Sequence, residues 1–168
     1  MFFKAMPRIG YKIDGKSVST KDIFRRVGLD RQVNSRLALE SYYVKDGETP
    51  DIVANNIYGS SKYHWVLLIV NDIVNPYEEW PRREAELFDY TEAKYGVDNA
   101  LLDHHYRLTS NTDIIVDYDP AKIINGDIEA VSNYDFELDL NQKKRQIYLL
   151  KPDYLAGFVT NYKKLMVG

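Results

Sequence analysis

The stretch Asp46-Gly47-Glu48-Thr49-Pro50-Asp51-Ile52-Val53-Ala54-Asn55-Asn56-Ile57-Tyr58-Gly59, continuing through Trp65 to Asn71 and Pro76, decides how this chain folds. Asp46-Gly47 is a turn signal. Thr49 is a good helix N-cap, and Pro50 suits the first helical position, where its missing N–H is no loss. Ile52, Val53 and Ile57 recur at helical spacing and give one apolar stripe. Gly59 can take the left-handed conformation that ends a helix. Ser60 or Ser61 then caps a second helix, carrying Tyr63, Trp65, Val66, Leu67, Ile69 and Val70, which is apolar enough to be buried on most sides. Asn71 ends it, and Ile73, Pro76 and Trp80 form the exit. Tyr42-Tyr43-Val44 reads as a strand entering this run.

Strand, helix, helix and Asn-Pro exit resemble, in that order, a LysM-type βααβ module. Gly47, Thr49, Pro50, Ile52, Ala54, Tyr58, Gly59, Trp65, Asn71 and Pro76 carry the likeness. The resemblance implies peptidoglycan or chitin binding. One feature departs from it: the second strand of such a module should follow the exit closely, but Glu78-Glu79-Trp80-Pro81-Arg82-Arg83 leads into a helix. The closing strand is lost or comes from further on, with Ile114 to Val116 as the candidate.

Outward from this core the signals weaken. The segment 1–41 reads as an extended N-terminal arm. It holds a turn at Asp14-Gly15, between Tyr11-Lys12-Ile13 and Ser17-Val18, and a short helix over Asp22 to Val27, capped by Thr20 and stopped by Gly28. Residues 42–96 hold the LysM-like core and a third helix opened by Pro81 and closed past Tyr95 by Gly96. The remainder, 97–168, reads as a strand-rich region ending in a helix. Tyr106-Arg107-Leu108 and Ile114-Ile115-Val116 flank a polar tip as a hairpin, and Asp119-Pro120 and Asn125-Gly126 are turns. Tyr134-Asp135-Phe136-Glu137-Leu138-Asp139-Leu140 alternates as a half-buried strand should. Gln146 to Leu150 is a further strand, and Pro152 starts an amphipathic helix through Tyr154, Leu155, Phe158, Tyr162 and Leu165. The fold class is α+β.

Bulk composition sets limits. The chain has 168 residues, 45% apolar and 28% charged, so it can bury a core. A net charge of −3 argues against nucleic acid, which needs a concentrated basic face. The basic run Lys143-Lys144-Arg145 reads as a solvated face. The sequence has no cysteine, which excludes disulfides, thiol catalysis and Cys-ligated zinc. No window approaches a bilayer-spanning length, and Met1 to Pro7 has no secretion pattern. Fourteen tyrosines suit protein interfaces, because each joins a large apolar area to a polar tip.

Catalytic signals are thin. Asp103-His104-His105 matches a metal-binding triplet of one phosphoesterase class, but the partner aspartate motifs are missing, so a polar strand end before Tyr106 is the preferred reading. His64 reads as a partly buried, hydrogen-bonded histidine. There is no nucleophile elbow and no phosphate loop. Trp65 is assigned to the core. Trp80, beside Pro81, is expected near the surface, with core or protein interface ahead of sugar stacking.

Read together, the segments resemble the small LysM-containing wedge subunit, numbered fifty-three, of T4-like contractile-tailed phage baseplates. The likeness rests on Phe2-Phe3-Lys4-Ala5-Met6-Pro7 with Asp22-Ile23-Phe24-Arg25, on the core from Tyr43 to Trp65, and on Asn141 to Ile147 with Leu150-Lys151-Pro152. It implies a structural, non-catalytic virion subunit, assembled in the host cytoplasm, with no cofactor, no metal, no nucleic acid and no membrane. Its partners would be other wedge and hub proteins, and copies of itself around a six-fold ring. Phe2, Phe3, Phe24, Trp80, Lys144, Arg145, Tyr154 and Phe158 are the candidate interface residues. The alternative reading is a peptidoglycan-binding LysM protein.

Overall fold

In the computed structural model, residues 6–22 and 37–167 are described. Phe2, Phe3, Phe24, most of the helix expected over Asp22 to Val27, and its stop at Gly28 lie outside them. The chain forms two units: Met1–Val44 with Glu48–Trp80 and Gln146–Gly168, and Lys45–Gly47 with Pro81–Arg145.

The first unit is built on an antiparallel pair of strands, β3 (Leu39–Tyr43) and β7 (Gln146–Leu150), in register from Leu39↔Leu150 to Tyr43↔Gln146. Between them in sequence come α1 (Pro50–Tyr58), a 3-10 turn (Ser61–Tyr63) and α2 (His64–Val70). The strand that closes on β3 is therefore β7. Ile114 to Val116 pairs elsewhere, in the second unit.

Local chemistry explains the first helix. Thr49 is extended at the N-cap position and Pro50 occupies the first turn, while Gly59 caps the C-terminus at φ 71° and donates its N–H to Asn55 O. The Thr49 hydroxyl donates to the Asp51 carboxylate at 2.6 Å instead of capping the helix. The stripe is rotated from the one the sequence suggests: Val53 and Ala54 are buried and Ile52 faces solvent. Ala54 can lie in the interior because it needs so little room there.

The second helix divides its apolar residues between two clusters. Trp65, Val66 and Val70 join Leu150, Phe158, Tyr162 and Met166. Leu67 joins Val44, Val53, Ala54, Trp80, Ile147 and Leu149. In β7 the period of two puts Ile147 and Leu149 inside and Tyr148 outside. The closing helix α7 (Pro152–Val167) follows as the sequence suggests, and its Phe158 and Tyr162 rings lie 5.9 and 5.0 Å from that of Trp65. Trp80 is buried, not superficial, because its indole Nε1 donates to Glu48 O at 2.8 Å while its ring fills the second cluster.

Two further pieces belong to this unit. Strands β1 (Arg8–Ile13) and β2 (Lys16–Lys21) form an antiparallel hairpin around Asp14-Gly15. A one-turn helix, α3 (Pro76–Glu79), replaces the irregular exit: Asn75 Oδ1 accepts from Tyr77 N, and Glu79 Oε1 accepts from Asn75 N.

The second unit carries a three-stranded antiparallel sheet, ordered β5 (Asn111–Val116), β4 (Asp103–Leu108), β6 (Ile128–Ser132). Its helices are α4 (Glu84–Tyr95), α5 (Pro120–Asn125) and α6 (Asn133–Lys144). The hairpin around Thr109 is as expected. Pro81 does not open α4: Arg83 is extended at its N-cap, and Glu84 N donates to Asp46 Oδ1. Asp119-Pro120 starts a helix rather than a simple turn, with Asp119 accepting from Ala121 N and Lys122 N.

The expected strand over Tyr134 to Leu140 is wrong. It is part of α6, started by Ser132, whose hydroxyl accepts from Asp135 N. The alternation misleads because the most buried positions are polar. Asn133, Glu137 and Asn141, spaced by four, line the inward face, while Phe136 and Leu138 are only half-buried. Lys94 and Tyr95 satisfy Glu137, and the backbone of Arg82 satisfies Asn141.

Candidate functional site

The loop that leads into α1, the start of α2 and the one-turn α3 enclose a cleft of about 490 Å³ in the first unit. Pro50, Leu68, Pro76 and Trp80 give it apolar walls, and Thr49, Asp51, His64 and Tyr77 line it as well. Each wall has a local cause. Pro50 and Pro76 stand at the first positions of their helices. Trp80 is pinned by its bond to Glu48 O, and the Glu48 carboxylate in turn accepts from the Tyr42 hydroxyl at 2.9 Å. Burial, with the Glu48 carboxylate beside it, pushes the Tyr42 phenol up to about 12. Tyr77 is 86% exposed and stands at the rim.

The Thr49 hydroxyl bond holds the Asp51 carboxyl below its usual range, so it stays anionic. His64 Nδ1 lies 2.9 Å from Ser61 O, which makes it a donor to its own turn. This histidine is hydrogen-bonded as expected but exposed rather than partly buried. No bond between Asp51 and His64 orients one toward the other as a base and its partner would need.

Asp103-His104-His105 proves to be the start of β4. His104 stacks on Phe136 with ring centroids 4.0 Å apart, and its Nδ1 lies 2.8 Å from His105 Nδ1. Tyr106 donates its hydroxyl to Asp103. Desolvation lowers the His105 pKa, with smaller effects from the neighbouring His104 and Arg107 charges. The triplet is occupied in strand and ring packing. Among the described residues no group of three or more His, Asp or Glu side chains could hold a metal ion.

The sequence-derived site residues separate. Thr49, Pro50 and Pro76 line the cleft, while Ala54 and Trp65 lie in the core. Tyr58 donates its hydroxyl to Leu150 O at 3.0 Å, and burial pushes its phenol up to about 12. Gly47 belongs to the second unit. Asn71 does more than end α2: its Nδ2 donates to Leu67 O and to Tyr148 O. Of the candidate interface residues, Tyr154 is exposed and Lys144 half-buried. Trp80, Phe158 and Arg145 fill the interiors of their own units. Arg145, read in the sequence as part of a solvated run, is 2% exposed and ion-paired with Asp46 and Glu84.

The sequence reading missed α3 and hence the rim at Tyr77. Its signal was Asn75-Pro76 followed by Glu78 and Glu79, an N-cap with acidic residues in the first turn. No helix among the described residues is long and apolar enough to cross a membrane.

Exposed tyrosine and aliphatic side chains, among them Tyr43, Tyr77, Tyr118, Val74 and Ile115, fit a structural protein of a larger assembly. The family model for base plate wedge protein 53 matches residues 1–119, and the chain belongs to that family. A relative that is 27% identical over 171 aligned positions, covering 89% of this chain and 85% of its own length, is baseplate wedge protein gp53 of Enterobacteria phage T4. The chain is thus a virion protein with a structural role in the baseplate wedge of a phage tail.

Proposed function

We propose that this chain binds other wedge subunits and helps join wedges into a ring around the central hub, with a LysM-like core as its docking scaffold. The observation that carries the reading is the antiparallel pairing of β3 with β7 around α1 and α2. This order resembles the strand–helix–helix–strand order of a LysM module and so supports the reading, with Pro81–Arg145 coming before the last strand. A core interrupted in this way is embedded in a larger protein rather than appended as a detachable wall-binding tag. The segments 1–41 and 97–168 reach neighbouring subunits, with Phe2, Phe3, Phe24, Lys144 and Tyr154 among the contacting residues. Catalysis plays no part.

The test is reconstitution. The other wedge proteins of the same phage are purified and mixed with and without this chain, then examined by sedimentation and negative-stain microscopy. Closed rings that need the chain support the reading; rings that form equally well without it overturn the reading.

The second reading, peptidoglycan binding, is favoured by one observation: the cleft lies beside the β3–α1 loop, with the exposed Tyr77 ring at its rim. Retention on purified sacculi, lost on Tyr77→Ala, would support it. No retention removes it.

A further inference from the structure

The β1–β2 hairpin is two-faced. Ile9, Tyr11 and Ile13 alternate along β1, and the register places Val18 opposite Tyr11 and Lys16 opposite Ile13 on the same side. All of these residues are exposed. A two-stranded hairpin with one bare apolar face is marginal in water and gains from a surface to lie on. It is also basic. Arg8, Lys12, Lys16 and Lys21 against Asp14 give it +3, while the whole chain carries −3, so the remainder carries −6.

The complementary surface is on the same chain. The cleft of Asp51, His64, Leu68, Pro76, Tyr77 and Trp80 has apolar walls and one anionic carboxylate in its lining. Its α3 border, from Asn71 to Trp80, adds Asp72, Glu78 and Glu79 and contains no Lys or Arg. Val74 and Tyr77 extend the apolar surface there. The apolar face ends in Lys16, while Arg8, Lys12 and Lys21 stand on the opposite face of the same basic hairpin. An apolar strip on a cationic hairpin thus matches, in kind, an apolar cleft edged with carboxylates.

We propose that the β1–β2 hairpin of one copy docks in the cleft beside α3 of a second copy. This deepens the wedge-joining reading and rests on it. The two surfaces are different patches, so the contact is head-to-tail. Such a contact repeats from copy to copy and closes into a ring when the rotation allows. Tyr11 supplies the aromatic anchor, and Lys16 meets Glu78 at the rim.

The full-length chain is followed by analytical ultracentrifugation in about 0.05 M and about 0.5 M salt, since screening weakens such rim pairs. The wild type is expected to form oligomers beyond the dimer at low salt and to fall toward monomer at high salt. Two variants each remove one surface: Tyr11→Ala/Lys16→Ala and Tyr77→Ala/Glu78→Ala. All four positions are exposed, so circular dichroism should be unchanged. Each variant alone should lose self-association by about tenfold or more. Mixed together, they retain one intact hairpin and one intact cleft, so they should form dimers and stop there. Should either double variant misfold, Lys16→Ala and Glu78→Ala alone give the same comparison.

A wild type that stays monomeric at low salt overturns the proposal, as does a mixture that does not associate. So does a hairpin variant that self-associates normally. If the hairpin variant loses another wedge protein while homotypic association is absent, the hairpin serves a different partner and this proposal falls. Rings that form without the chain would overturn the wedge-joining reading instead, so the two failures are told apart.

Discussion

Asn71 pairs with Tyr148 as a strand residue would, across 77 positions of sequence. Its Nδ2 donates to Tyr148 O at 2.8 Å and its Oδ1 accepts from Tyr148 N at 2.7 Å. The same Nδ2 donates to Leu67 O at 2.8 Å, so one amide ties the last turn of α2 to the outer edge of β7. Asn71→Ala removes all three bonds, and the cost is expected to be ~2–3 kcal/mol at about 1 kcal/mol per bond. Asn71→Asp keeps the acceptor and loses the donor, and so should lie between wild type and Asn71→Ala. Urea unfolding at neutral pH measures both. Equal stability of Asn71→Ala and wild type would refute the bridging role.

Arg145 donates from Nη2 to Asp46 Oδ1 at 2.8 Å, and the same oxygen accepts from Glu84 N at 3.0 Å. Asp46 therefore holds both a nearly buried guanidinium and the first turn of α4. The Arg145 bond, followed by the Glu84 N–H, lowers the Asp46 pKa. A carboxyl lowered in the folded state stabilises fully above its unfolded value, about 3.9, and loses that contribution as pH falls through the lower folded value. Asp46→Asn is expected to cost ~1–2 kcal/mol at pH 7. Its stability should then change less than wild type's as pH falls below 4. Denaturant melts at several pH values check this, and parallel curves for the two proteins would contradict it.

Two glycines should respond differently to alanine. Gly59 sits at φ 71°, and a Cβ added there would meet nothing within 4 Å, so Gly59→Ala carries only the left-handed penalty of ~1–2 kcal/mol. Gly96 sits at φ 106° and ψ 153°, a region almost closed to other residues, and an added Cβ would lie 2.8 Å from Asn99 Nδ2. Asn99 cannot retreat freely, since that nitrogen donates to Tyr95 O at 2.9 Å. Gly96→Ala is therefore expected to cost ~3 kcal/mol or more. Thermal melts rank the two, and a milder effect at Gly96 would count against the geometry.

Where the sequence could be read, the information was local. Thr49-Pro50 and Gly59 punctuate α1, the apolar run through Trp65 marks a buried helix, and Pro152 begins α7. What could not be read was set by distant partners. The strand that closes on β3 lies a hundred residues downstream, past the inserted segment Pro81–Arg145. The alternation at 134–140 suggested a strand because burial there follows Asn133, Glu137 and Asn141, whose partners are on other elements. Likewise Arg145 ends a basic run that looks solvated until Asp46 and Glu84 are brought beside it. The cleft was half legible: Thr49 and Pro50 were singled out, but the rim at Tyr77 depends on the one-turn helix α3.

Glu137 shows what such a hidden partner is worth. It is 4% exposed and accepts from Lys94 Nζ at 2.6 Å and from the Tyr95 hydroxyl at 2.8 Å. The bond to Glu137 raises the Lys94 pKa, so its contribution holds below the ordinary lysine value and fades only as pH rises through the higher folded one. Removing Lys94 alone leaves a buried carboxylate with only the tyrosine, so Lys94→Met is expected to cost ~2–3 kcal/mol. With Glu137→Leu already present there is no charge left to strand, and the added cost of Lys94→Met should shrink to a few tenths of a kcal/mol, about the level of an exposed side chain. The double-mutant cycle thus predicts a coupling of ~2 kcal/mol between helices α4 and α6. Additive effects in denaturant unfolding would mean that Tyr95 alone satisfies Glu137 and that the lysine is a spectator.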